Sequence, residues 1–157
     1  MFAMDLCGGV RHLVVSRLSA LTESASTIIA DQIRPIIDVA AADGSFQQWI
    51  YPWQRGKRYA TRTGIDQTIH VVITTMVKCG SQDQQLMNTE MVEVAGIVDE
   101  LETHLMRVEN RCITIGQTVW TLNGIDDESP LKPFLDLEAA DRNVFIDHVK
   151  LTYVRMI

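Results

Sequence analysis

The stretch Thr68-Ile69-His70-Val71-Val72-Ile73-Thr74-Thr75-Met76-Val77 decides the fold. It is rich in β-branched residues, which pack well on a pleated strand. Successive side chains of a strand point to opposite faces. Ile69, Val71 and Ile73 therefore share one face, and His70, Val72, Thr74 and Met76 the other. The first face is wholly apolar and predicts a core. The second is partly apolar, which predicts contact with something beyond the chain's own core. His70 has no obvious partner there, so a structural or interfacial histidine is expected ahead of a catalytic one.

Downstream, residues 80–85 read as a polar connection and 88–107 as the best helix. Met91, Val94, Val98, Leu101 and Leu105 recur at steps of three and four, the spacing of a one-sided helix. Asn88 or Thr89 can cap its start, and Glu90 and Arg107 suit its dipole. Ile113 to Leu122 alternates and is expected to be one strand. Asn123-Gly124 signals a turn, and a long loop is expected around 123–137, carrying the acidic triplet Asp126, Asp127 and Glu128. Residues 143–157 read as a final strand, with Phe145, Val149, Leu151 and Tyr153 on one face.

Upstream, Leu13, Val14, Leu18 and Leu21 have helical spacing. Residues 10–33 are expected to form one long helix or two short ones, ending before Pro35. Ile36 to Val39 reads as a short strand. Phe46 to Tyr51 reads as an edge strand that stops at Pro52. Residues 52–64 hold Arg55, Lys57, Arg58 and Arg62 without an acid, and are expected to be a loop or extended arm. The sum is α+β: a mainly antiparallel sheet with one long helix packed on one face and an N-terminal helix, in a single domain over 1–157.

Composition narrows the functional classes. The chain has 157 residues, 46% hydrophobic and 22% charged, which is ordinary globular usage. Net charge is −6, which gives no global attraction to nucleic acid or anionic lipid. No apolar run approaches the ~20 residues of a membrane span. Asp5, Arg11, His12 and Arg17 interrupt the first apolar stretch, so no secretory signal is expected. The three cysteines, Cys7, Cys79 and Cys112, are widely spaced and read as free thiols.

Catalytic and metal motifs are sparse. No nucleophile elbow or phosphate loop occurs. Glu100, Glu102 and His104 crowd one helix, but a zinc pair needs two histidines one turn apart. The acidic triplet lacks the spacing of a calcium loop. His148, like His70, reads as structural. The most unusual run is Trp49-Ile50-Tyr51-Pro52-Trp53-Gln54-Arg55-Gly56-Lys57-Arg58-Tyr59, four aromatics with three cations. Three readings stand beside one another: aromatics packing on the sheet, a protein interface, or a single-stranded nucleic acid surface. The acidity of the chain disfavours the last.

The layout resembles the tail terminator and tail-completion, or head–tail joining, proteins of long-tailed bacteriophages. The matching pieces are Trp49-Ile50-Tyr51-Pro52, the basic residues 58–62, the strand Gly64 to Ile73, the helix Met91 to Leu105 and the closing strand Phe145 to Arg155. The resemblance covers roughly residues 10–157 and is one of element order, not of a catalytic signature. It implies a virion structural protein in the tail or neck, made in the host cytoplasm, with no enzymatic activity and no cofactor or metal. Its partners would be further copies of itself in a ring, probably six, the tail tube protein and the connector or stopper. DNA would pass through the lumen without specific binding, and no membrane would be involved. A ring needs two surfaces that meet head to tail. Trp49, Tyr51, Trp53, Arg55, Lys57, Arg58, Arg62, His70, Asp126, Asp127 and Glu128 are the expected interface residues. Other neck or tube components, a non-viral adaptor, and a small enzyme built on His70 or His148 are the competing classes.

Overall fold

The computed structural model describes residues 2–19, 28–31, 46–59, 64–78, 92, 96, 98–126 and 144–156. Helix α1 (Phe2–Ser19) is followed by β1 (Ile28–Asp31), β2 (Phe46–Tyr59) and β3 (Ile65–Lys78). Helix α2 (98–106, with Val92 and Gly96 also helical) leads through a 3-10 turn (Val108–Asn110) to β4 (Cys112–Ile115), β5 (Thr118–Asp126) and β6 (Val144–Met156). The six strands form one sheet in the order β1-β2-β3-β6-β5-β4. Every neighbouring pair is antiparallel except β1 with β2. The fold is thus α+β with a mainly antiparallel sheet, as the alternation along 68–77 predicts.

One face of the sheet carries the core. Ile50, Ile69, Val71, Ile73, Val149, Leu151 and Tyr153 meet Leu6, Cys7, Val10 and Val14 of α1 and Val98, Leu101 and Leu105 of α2. Burying each such aliphatic side chain is worth about 1.5–3 kcal/mol. Helix α1 lies against β1, β2, β3 and β4, which include both edge strands. A flat six-stranded sheet is roughly 24 Å wide, whereas a helix is about 10–12 Å across. The sheet therefore curls around α1. The His104 ring Nε2–H donates to the Leu13 carbonyl at 3.1 Å and ties α2 to α1. Helix α2 ends on side chains: Asn110 Nδ2 donates to the His104 carbonyl and Arg111 Nε to the Met106 carbonyl, both at 2.8 Å, so carbonyls left open at its last turn are satisfied.

Several expectations are corrected. The first helix starts at Phe2 and stops at Ser19, and Ile28–Asp31 is a strand. Adjacent β-branched Ile28 and Ile29 favour a strand over a helix, and the hydroxyl-rich residues before them weaken helix formation. Strand β2 does not stop at Pro52, and 52–59 is not a loop or arm. It continues through a bulge between Pro52 and Gln54 to Tyr59. The parallel partner β1 reaches only Ile50, so the missing N–H of Pro52 falls where no described strand needs it. Residues 113–122 are not one strand but a hairpin. Gly116 adopts φ 61°, and the two-residue turn Gly116-Gln117 reverses the chain. That reversal puts Ile113 opposite Trp120, and both are buried. Asn123-Gly124 is no turn: β5 runs through it, with an irregularity between Leu122 and Gly124, as far as Asp126. Arg107 follows α2 in extended conformation and is not part of its last turn. The expected strand 36–39, the start of the helix at 88–91 and the loop beyond 126 lie outside the described residues.

Candidate functional site

The second face of the sheet is set by the same alternation that makes the first. Register places Trp49 opposite Thr74 and Thr74 opposite His148, then Tyr51 opposite Val72 and Val72 opposite Lys150, then His70 opposite Thr152. Trp49, Tyr51, Val72 and Thr74 are buried, while His70, His148, Lys150 and Thr152 are half-buried.

Polar side chains connect across three strands. The Tyr51 hydroxyl and Thr74 Oγ1 are 3.1 Å apart, and Thr74 Oγ1 is 2.8 Å from His148 Nδ1. With a neutral His148, Tyr51 donates to Thr74 and Thr74 donates to the imidazole, so each hydroxyl has a role. Burial pushes the Tyr51 phenol pKa up, and the hydrogen bond to Thr74 partly offsets this. His70 Nδ1 lies 3.0 Å from Thr152 Oγ1. Burial and the nearby Lys150 ammonium hold its pKa below the usual imidazole value.

The expected interface residues separate into groups. Trp49 and Tyr51 belong to the buried part of this face. Trp53 falls at the β2 bulge and is 49% exposed, its ring edge-on to Tyr51 with centroids 6.4 Å apart. Bulges re-aim side chains in this way. Arg55, Lys57 and Arg58 lie within β2, in register with Ile69, Gln67 and Asp66 of β3. Asp126 ends β5 opposite Lys150. Arg62, Asp127 and Glu128 lie outside the described residues. Strand pairing thus gathers Trp49, Tyr51 and His70 on one face, and sets Asp126 two strands away from β3.

Thr74, His148 and Thr152 complete the polar chain, and sequence reasoning did not join them. Alternation signalled the face of Thr74, but its partner is 74 residues away. The Thr74–His148 pair has the spacing of a hydroxyl nucleophile and its base. Thr74 is only 2% exposed, so in this structure its Oγ1 is closed to a substrate. Among the described residues no three of His, Cys, Asp and Glu gather as a metal site, and no helix is long and apolar enough to cross a membrane.

At the opposite end of the core face, Arg155 stacks 5.0 Å over the Trp120 ring while donating to Gln67 Oε1 at 2.7 Å and Thr118 Oγ1 at 3.2 Å. This clamp joins β3, β5 and β6 and closes the core. No family model and no curated protein matches the chain.

Proposed function

We propose that the chain is a structural subunit of a phage virion: a ring, of six copies, that caps the tail tube and joins it to the head–neck connector. The observation that carries this reading is β2. One 14-residue strand holds Trp49 and Tyr51 in the sheet, sets Trp53 half-exposed at a bulge and carries Arg55, Lys57 and Arg58 beyond the reach of β1. Aromatic and arginine side chains at an edge suit a subunit contact, and the basic charges fix register with an acidic neighbour more than they add affinity. On this reading one long helix, running whole from Asn88, packs on the core face. The polar chain Tyr51–Thr74–His148 is then structural, and no cofactor takes part. The partners are neighbouring copies, the tail tube protein and the connector or stopper. The net charge of −6 suits a lumen through which DNA slides without sticking.

Light scattering over a concentration series, with negative-stain images of the same fractions, tests the reading. Six copies of the 17.7 kDa chain give a closed ring of about 106 kDa. Open tubes would favour the second reading, a tail tube component. The unpaired edge at β4 favours that reading, since head-to-tail contacts that do not close grow filaments. Other neck proteins, such as head-completion or stopper proteins, and a non-viral adaptor share the ring-or-module logic and differ in their partners.

A further inference from the structure

We propose that the outer edge of β4 accepts an extended segment of a neighbouring copy as an additional strand. The identity of the occupant rests on the ring reading above. The surface itself is defined by main-chain geometry.

The sheet has two sides on which a strand can add, and they differ. On the β1 side, β2 beyond Ile50 carries Pro52, a bulge and the basic residues Arg55, Lys57 and Arg58. Proline, bulges and lysine or arginine are the devices by which edges resist unwanted pairing. On the other side, β4 reads Cys112-Ile113-Thr114-Ile115, with no proline, charge or bulge.

The direction of the β4 backbone follows from one hydrogen bond. Leu122 N donates to the Arg111 carbonyl at 2.7 Å. In an antiparallel ladder the groups aimed at the partner alternate along the strand. Arg111, Ile113 and Ile115 therefore aim N–H and C=O at β5, and Cys112 and Thr114 aim theirs outward. Both outward residues are exposed, and among the described residues β4 pairs with β5 alone.

Apolar side chains flank this edge. Val119, the cross-strand partner of Thr114, is 50% exposed. Val108 opens the 3-10 turn that contacts β4 and is 81% exposed, and Met106 just before it is also exposed. Four residues of strand pairing are marginal alone. The flanking side chains add the apolar burial that strand addition needs. A head-to-tail ring requires an acceptor surface distinct from the donor, and β4 is that acceptor.

The test uses the full chain and two substitutions. Thr114→Pro removes the outward N–H without touching the β5 ladder. Thr114→Lys keeps the N–H and places a charge on the edge, and it decides the matter if the proline variant fails to fold. Far-UV circular dichroism checks folding, and light scattering reads mass. The expected result is a ring for the wild-type chain and loss of the ring to 17.7 kDa for each folded variant. Hydrogen exchange gives a readout without substitution: the Thr114 amide exchanges slowly in the ring and fast in the single chain. Folded variants that keep the wild-type ring mass overturn strand addition at β4 and leave the ring reading standing. A wild-type chain that stays at 17.7 kDa at every concentration overturns the ring reading, and the second copy as occupant with it.

Discussion

The Tyr153 hydroxyl is buried in the core and has no hydrogen-bond partner. Burial and the neighbouring Cys7 thiol hold its phenol pKa well above the ordinary value. An unsatisfied buried hydroxyl costs about 1–3 kcal/mol of desolvation. Tyr153→Phe is therefore expected to leave stability unchanged or to raise it by about 1 kcal/mol, read from urea midpoints at constant slope. A loss beyond about 1 kcal/mol would mean that the hydroxyl is satisfied in solution. His70 acts through pH. Its folded pKa lies below the unfolded value of 6.5, because burial and Lys150 disfavour the imidazolium. As pH falls below 6.5, the unfolded chain takes up this proton first, so stability drops between 6.5 and the lower folded value. Above that window His70 contributes nothing. His70→Asn should flatten this part of the curve, and midpoints that fall equally in variant and wild type would contradict it. At this scale the alternation of 68–77 made the two faces legible. The partners were not: no local pattern records that Thr74 meets His148, or His70 Thr152, because register between distant strands is set by the whole sheet.

Two glycines of α1 separate packing from propensity. A Cβ added at Gly9 would lie 2.6 Å from Ile113 Cγ2, whereas one at Gly8 meets nothing within 4 Å. Alanine improves a helix over glycine by about 1 kcal/mol. Ile113 is β-branched and yields little, and overpacking costs about 1–3 kcal/mol. Gly8→Ala should stabilise and Gly9→Ala destabilise, each by about 1 kcal/mol, in thermal or urea unfolding. Equal effects would show that α1 does not approach β4 this closely. In the β4–β5 hairpin, Gly116 has φ 61°. Gly116→Val should cost about 1–2 kcal/mol and Gly116→Asn less, since asparagine tolerates the left-handed region. Equal midpoints for the two variants would contradict the turn. The element scale also shows why sequence reading stopped short. Read as one strand, residues 113–122 put Ile113 and Trp120 on opposite faces. A two-residue turn restores them to one face, and a lone glycine within an alternating run gives that turn little signal. Proline at 52 read as a strand end, yet here it lies beyond the last residue that β1 pairs. The stripe Val98, Leu101 and Leu105 is buried as its spacing predicts, because a one-sided helix needs only local sequence to declare its face.

At the scale of the molecule, β6 lies between β3 and β5 and carries Val149, Leu151 and Tyr153 into the core, with Arg155 closing it over Trp120. The last strand of the sequence thus holds the middle of the sheet, and both of its neighbours were formed earlier in the chain. The α+β class was legible from the alternation and helix spacing. The strand order and the curl around α1 were not, because they depend on which distant runs pair. The proposed assembly interface was legible in composition, as the aromatic and basic run 49–59, but its form as a bulged, continuous strand was not. The most direct test of the central claim is the mass of the purified chain by light scattering across a concentration series. The account predicts a closed species of about 106 kDa, six times the 17.7 kDa chain. A single 17.7 kDa chain at all concentrations would contradict it.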